Sequence, residues 1–144
     1  EARSILEVRA NLETLIARSA AQRRTDAHLA QLHRVMDQAE TAMAQGRLDD
    51  LAALNTEYHD LLAQASGNQV ARRIIADLMK KVAWMYSVDI ANRAASSWHE
   101  HADLLNAIEA ADVEGADQLM SVHIANATKD FSLKYRRDPI EEML

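Results

Sequence analysis

Apolar residues recur along most of this chain at intervals of three and four, the spacing that lines one face of an α-helix. From about Ala2 to Gln22, the positions Ile5, Val8, Leu12, Leu15, Ile16 and Ser19 share one face. The run "RRTD" breaks the pattern, and Thr25 or Asp26 caps a second helix that extends to Gly46, a residue suited to a helix C-terminus. Asp49 or Asp50 opens a third helix with Leu51, Leu54, Tyr58, Leu61 and Leu62 on its apolar side, and the stretch from Ser66 to Asn68 stops it. A fourth is predicted from about Gln69 to Ala94. Ser97 and Glu100 fit an S-x-x-E capping box, which places the start of a fifth at Trp98. Asp112 caps a sixth that runs to about Tyr135, ahead of Pro139. Connections of about two to six residues imply antiparallel neighbours, so the fold class predicted is all-α, an antiparallel bundle of about six helices.

Composition agrees with that pattern and narrows the chemistry. The 144 residues include 3 Gly and 1 Pro, too little punctuation for sheets or long loops, and 49% are hydrophobic. One domain spanning residues 1–144 is long enough to bury a core. With no cysteine there is no disulfide framework and no thiolate site, so any metal must be held by nitrogen and oxygen. No apolar run approaches the roughly 20 residues of a membrane span, and no signal peptide is visible, which makes the expected compartment the cytoplasm. The formal net charge is −6, and the basic pairs Arg23-Arg24, Arg72-Arg73, Lys80-Lys81 and Arg136-Arg137 are scattered among acids. Nucleic acid would require them clustered, so these residues are not expected to grip it. The chain opens at Glu1, without methionine and within a helical pattern, as a piece of something longer would.

Placing each side chain at 100° per residue turns several polar groups inward. His101 falls among Trp98, Leu104, Leu105 and Ile108, and His123 among Ala116, Leu119, Met120, Ile124, Ala127 and Phe131. Both lie eleven residues from Asp112, one on each side. Across an antiparallel hairpin that turns at Asp112, the two imidazoles should therefore meet. His99 falls on the opposite face, and His28 and His33 read as surface. On the third helix Asn55 and His59 stand one turn apart beside the apolar stripe. Buried imidazole nitrogens each lose about 1–3 kcal/mol without a hydrogen bond, and a divalent cation satisfies them, because neutral imidazole is a common metal ligand. Three imidazoles and an amide oxygen suit zinc most readily, with nickel, iron and manganese as alternatives. The competing reading is three core histidines bonded within the protein.

Arg9 is the other anomaly, because it lies beside Ile5, Val8, Leu12 and Ile16. An inward guanidinium needs an anion. That anion is either Glu13, one turn on, or a ligand carboxylate held by two parallel hydrogen bonds.

Three stretches, "EVRANLETLIARSAA", "LDDLAALNTEYHDLLAQASGN" and "EHADLLNAIEAADVEGADQLMSVHI", resemble the FCD domain, the C-terminal ligand-sensing domain of FadR-type GntR transcription regulators of bacteria. The resemblance covers essentially the whole chain. Its most specific parts are the (D/N)-x-x-x-H turn and the two later histidines, 22 residues apart. The resemblance implies an all-helical sensor that holds a divalent metal through Asn55, His59, His101 and His123. It also implies a small organic acid (hydroxy, sugar or dicarboxylic) as effector, with Arg9 on its carboxylate. Tyr58 and Asn126, with Leu12 and Trp84 or Met85, are expected on the pocket wall from their facing. A homodimer is implied, with DNA bound only through a winged-helix domain that these residues do not include. Where this chain has Asn55 many relatives have Asp, so one negative charge fewer should weaken cation binding and sharpen the ion's pull on an anion. Two other functions compete. A small metal-dependent hydrolase would need a carboxylate base beside the metal, and no acid is firmly placed on the inward face of the third, fifth or sixth helix. A structural helical interaction module would need no metal. The expectation is a sensor and not an enzyme.

Overall fold

A computed structural model describes residues 2–88 and 90–135, with side chains for 4–81 and 90–130. Six helices follow in order: α1 (Ala2–Arg23), α2 (Asp26–Ala44), α3 (Leu48–Ala65), α4 (Gln69–Val88), α5 (Ile90–Glu109) and α6 (Val113–Tyr135). The expected all-α bundle is what the described residues form.

The turns are set by local chemistry. The Thr25 hydroxyl accepts from the backbone N–H of His28, and the His28 ring accepts in return from the Thr25 N–H, so a histidine takes the place Glu usually fills in a capping box. Gly46 closes α2 in the left-handed region at φ 66°, where the Arg47 N–H reaches back to the Ala42 carbonyl. Asn68 caps α4 by accepting from the Ala71 N–H at 3.0 Å. Asp112 caps α6 by accepting from the Gly115 N–H at 2.9 Å. The turn before it carries Ala111 at φ 57°, a strained position for a residue with a Cβ, and its N–H bonds the Ile108 carbonyl. That tight turn fixes the register of the α5–α6 hairpin.

Consecutive helices pair as hairpins, α2 with α3, α3 with α4 and α5 with α6, while α1 packs on α6, α3, α4 and α5. Arg18 on α1 pairs with Asp117 at the start of α6, and Arg24 donates to the Glu109 carbonyl, so α1 and α6 run antiparallel. The core is continuous through Leu32, Val35, Leu51, Leu62, Ile75, Leu104, Ile108, Met120 and Ile124. No helix among the described residues is long and apolar enough to cross a membrane.

Two expectations need correction. The fifth helix does not start at Trp98: α5 begins at Ile90 and runs unbroken past Ser97, which is fully buried in mid-helix and caps nothing. The fourth helix correspondingly ends at Val88, six residues short of Ala94. The predicted stripe of α1 is also rotated. Val8 and Leu15 are exposed, while Leu6, Arg9, Glu13, Ile16, Ala17 and Ala20 face the core. Trp84, Met85, Phe131 and Pro139 lie outside the residues whose side chains are described.

Candidate metal and effector site

Three helices deliver the imidazoles. His59 sits in the middle of α3, where Tyr58, Leu61 and Leu62 bury the face around it. His101 and His123 come from α5 and α6, and the Asp112 turn brings their ring centroids to 4.7 Å. His59 stands 5.3 Å from the His101 ring and 5.5 Å from the His123 ring. One nitrogen from each ring lies within 4.8 Å of the other two. All three rings are buried. Asn55 is buried one turn before His59 on the same helix.

The nitrogens are unevenly satisfied. Neither nitrogen of His101 has a hydrogen-bond partner among the described residues, and the same holds for Nε2 of His59. Each such orphan costs about 1–3 kcal/mol. A hydrophobic core has no use for three polar rings turned toward one another, so the donor set fits a divalent cation better than it fits packing. A tetrahedral ion with nitrogens at about 2.0–2.1 Å separates its ligands by about 3.3 Å, so the rings need draw in by no more than about 1.5 Å. His101 is oriented by aromatic contacts instead: it stacks on Tyr58 at 4.2 Å and meets the edge of Trp98 at 4.8 Å. The Tyr58 hydroxyl donates to the His101 backbone carbonyl at 2.8 Å, and burial keeps that hydroxyl un-ionised.

Two carboxylates that the sequence did not place on the inward face lie against the Nδ1 atoms of the other rings. Glu100 accepts from His123 Nδ1 at 2.7 Å, from Asn126 Nδ2 at 2.7 Å and from Arg93 Nη2 at 2.8 Å. Arg93, itself buried, also pairs with Asp130 at 3.0 Å. Glu13 is buried on α1 between Arg9, whose Nε donates to it, and His59. Its second oxygen lies against His59 Nδ1, close enough for an ion pair but off the line of the ring N–H. Arg9 is therefore inward as expected, and Glu13 at i+4 holds its Nε edge.

Burial alone would raise the Glu13 carboxyl, but Arg9 and His59 overcome it and hold the group well below the usual carboxylate range. The same competition lowers Glu100, where desolvation is outweighed by hydrogen bonds from His123 and Asn126 and by the charge of Arg93. Desolvation pushes His101 far below the ordinary imidazole value, with His123 and His59 adding to the effect. Desolvation likewise lowers His123 to about 4, against the bond to Glu100, which favours its charged form.

Those shifts give metal-free protein an acid limb. Between about pH 6.5 and about pH 4, unfolded His123 binds a proton that the folded ring refuses. Its contribution is fully present above about 6.5 and is lost as pH falls through about 4, a change of about 3 kcal/mol. His101, Glu13 and Glu100 act with the same sign, since all three are shifted down. Urea unfolding of chelator-treated protein should show the midpoint dropping steadily from about pH 7 to about pH 4. A midpoint constant across that range would contradict the buried placement of these rings.

The FCD domain family's sequence profile matches residues 4–126. Over 120 residues the chain is 28% identical to the HTH-type transcriptional repressor RspR of Escherichia coli K12, covering 81% of this chain and 52% of that protein. It is 25% identical over 133 residues to the HTH-type transcriptional regulator LutR of Bacillus subtilis, covering 88% and 60%. The chain thus spans between half and two thirds of the length of these relatives. Among solved structures it is similar to Streptococcus agalactiae GntR, with TM-score 0.76 and 27% identity over 88% of this chain and 57% of that one. The fold of Escherichia coli McbR/YncC is also similar, with TM-score 0.82 at 17% identity, covering 92% and 65%.

Proposed function

The chain belongs to the FCD domain family of transcription regulators, and from that premise we propose that it is the metal-dependent sensor half of such a regulator, binding a small organic acid. The ligands in this reading are His59, His101 and His123, with Asn55 as the fourth donor. Charge balance carries the proposal. The donors are imidazoles and an amide, which bring no negative charge, and the acids around them nearly balance the bases: Glu13 pairs with Arg9, while Arg93 is shared by Glu100 and the partly exposed Asp130. A divalent cation would then leave the buried site with net positive charge, which is costly unless an anion comes with it. The cation supplies a Lewis-acidic centre for a carboxylate or hydroxyl oxygen, and zinc suits this donor set best.

Arg9 supplies the second contact. Glu13 takes its Nε edge, and the two terminal nitrogens of a guanidinium can hold a carboxylate by parallel hydrogen bonds. Tyr58 contributes to the site through its ring, since its hydroxyl is engaged by the His101 carbonyl, and Asn126 contributes through Glu100. An acid drawing on α1, α3, α5 and α6 at once favours one arrangement of the bundle. In a homodimer that preference passes to attached helix-turn-helix domains, with a coupling of typically about 1–3 kcal/mol. The hydrolase reading loses ground because Glu13 and Glu100 are already engaged by ring Nδ1 atoms and by arginines, which leaves neither free to act as a base.

A thermal-shift panel of hydroxy acids, sugar acids and dicarboxylates, run on zinc-loaded protein with and without chelator, tests this. At about 100 times its dissociation constant, an acid that binds the folded state stabilises it by about 2.7 kcal/mol, a rise of roughly 5–10 °C. The rise should vanish with chelator. Shifts that survive chelation, or a panel in which no acid moves zinc-loaded protein, would refute the proposal.

A further inference from the structure

The carboxylates that touch His123 and His59 are not accounted for by the ligand set alone. We propose that Glu100 and Glu13 are positioning residues that hold His123 and His59 as Nδ1–H tautomers, so that Nε2 of each ring presents its lone pair to the cation. This rests on the sensor reading above.

A neutral imidazole carries one N–H, and whichever nitrogen donates it, the other is left to bind. A carboxylate offers only lone pairs. At His123 the partner of Nδ1 is Glu100 Oε2 at 2.7 Å, so Nδ1 must donate and Nε2 is the free nitrogen. Glu100 cannot swing away, because Asn126 holds its other oxygen at 2.7 Å and Arg93 bonds the oxygen that His123 uses, at 2.8 Å. Arg93 is pinned in turn by Asp130 and donates to the His123 carbonyl. Four side chains from α5 and α6 thus fix one imidazole. At His59 the arrangement is shorter: Arg9 holds Glu13, and Glu13 lies against Nδ1. The chains Arg93–Glu100–His123 and Arg9–Glu13–His59 therefore share one order, cation to carboxylate to imidazole, built from different helices. His101 has no carboxylate at either nitrogen among the described residues, and Tyr58 and Trp98 orient it by contact instead. Carboxylates in this relation to a ligating histidine raise its basicity and narrow its orientation, and losing one weakens metal affinity by about 10–100-fold.

The test uses metal-free and zinc-loaded protein. In metal-free wild type, long-range ¹H–¹⁵N correlation of the imidazoles reads the tautomers directly, and His123 and His59 should carry their proton on Nδ1. Zinc affinity is then measured by competition with a chromophoric chelator for wild type and Glu100→Gln. Arg93 keeps Asp130 in that variant, so the fold should survive, and the affinity should fall about 10–100-fold. An Nε2–H tautomer at His123, or a Glu100→Gln affinity within about twofold of wild type, overturns the positioning role while leaving the metal site standing. Wild type that takes up no zinc sinks the sensor reading itself, so the two failures are separable.

Discussion

Replacing His101 or His123 by alanine should weaken zinc binding by about 10²–10³-fold. A structural zinc site is worth about 10–16 kcal/mol, so each of four ligands carries roughly 2.5–4 kcal/mol. That share, converted at about 1.4 kcal/mol per decade, gives the factor. His101→Ala removes the imidazole that lies nearest His123 and has no hydrogen-bond partner at either nitrogen among the described residues. The loss should therefore appear in affinity more than in folding, although the stacking on Tyr58 is also forfeited. His99→Ala is the matched control. Its ring sits on the exposed face of the same helix, against Asp103 at 3.7 Å, and zinc affinity should be unchanged. Competition with a chromophoric chelator on untagged protein reads all three. Zinc affinity unchanged in His101→Ala and His123→Ala, or weakened in His99→Ala, would rule out the cage.

The meeting of His101 with His123 was legible because a hairpin is a symmetric object. Once Asp112 marks the turn, equal offsets face each other, and two helices of known facing leave nothing else to fix. His59 was legible as inward but not as near, because α3 approaches that hairpin through tertiary packing that no spacing encodes. The six helices were legible for the same reason as the histidines: periodicity reports facing. The start of α5 at Ile90 was not, since no Gly or Pro occurs between Gly67 and Gly115 to mark it. An S-x-x-E pattern at Ser97 then stood in for the missing signal and was misleading. That misreading hid Glu100. Taken as a capping residue it had no reason to face inward, whereas in an unbroken α5 it lies on the side where α6 brings His123 and Asn126. Glu13 was visible as a partner for Arg9, but its contact with His59, on α3, depends on how α1 crosses that helix.

Breaking the Arg9–Glu13 pair from either side should cost about 3–5 kcal/mol, and neutralising both should cost little. Both groups are nearly excluded from solvent, Arg9 at 8% and Glu13 at 2% exposure. Glu13→Gln therefore leaves a buried guanidinium without its counter-charge, and Arg9→Met leaves a buried carboxylate with His59 alone. The double variant, Arg9→Met with Glu13→Gln, removes both charges together, and the amide that replaces the carboxylate still offers His59 an acceptor. Urea unfolding of chelator-treated protein should show both single variants strongly destabilised and the double within about 1 kcal/mol of wild type. Additive costs would mean that the pair is not coupled. The double variant also separates structure from sensing. A folded, zinc-saturated bundle without the Arg9 guanidinium should no longer be stabilised by the acid that stabilises wild type. If it responds undiminished, Arg9 serves the fold and the acid is held by other residues.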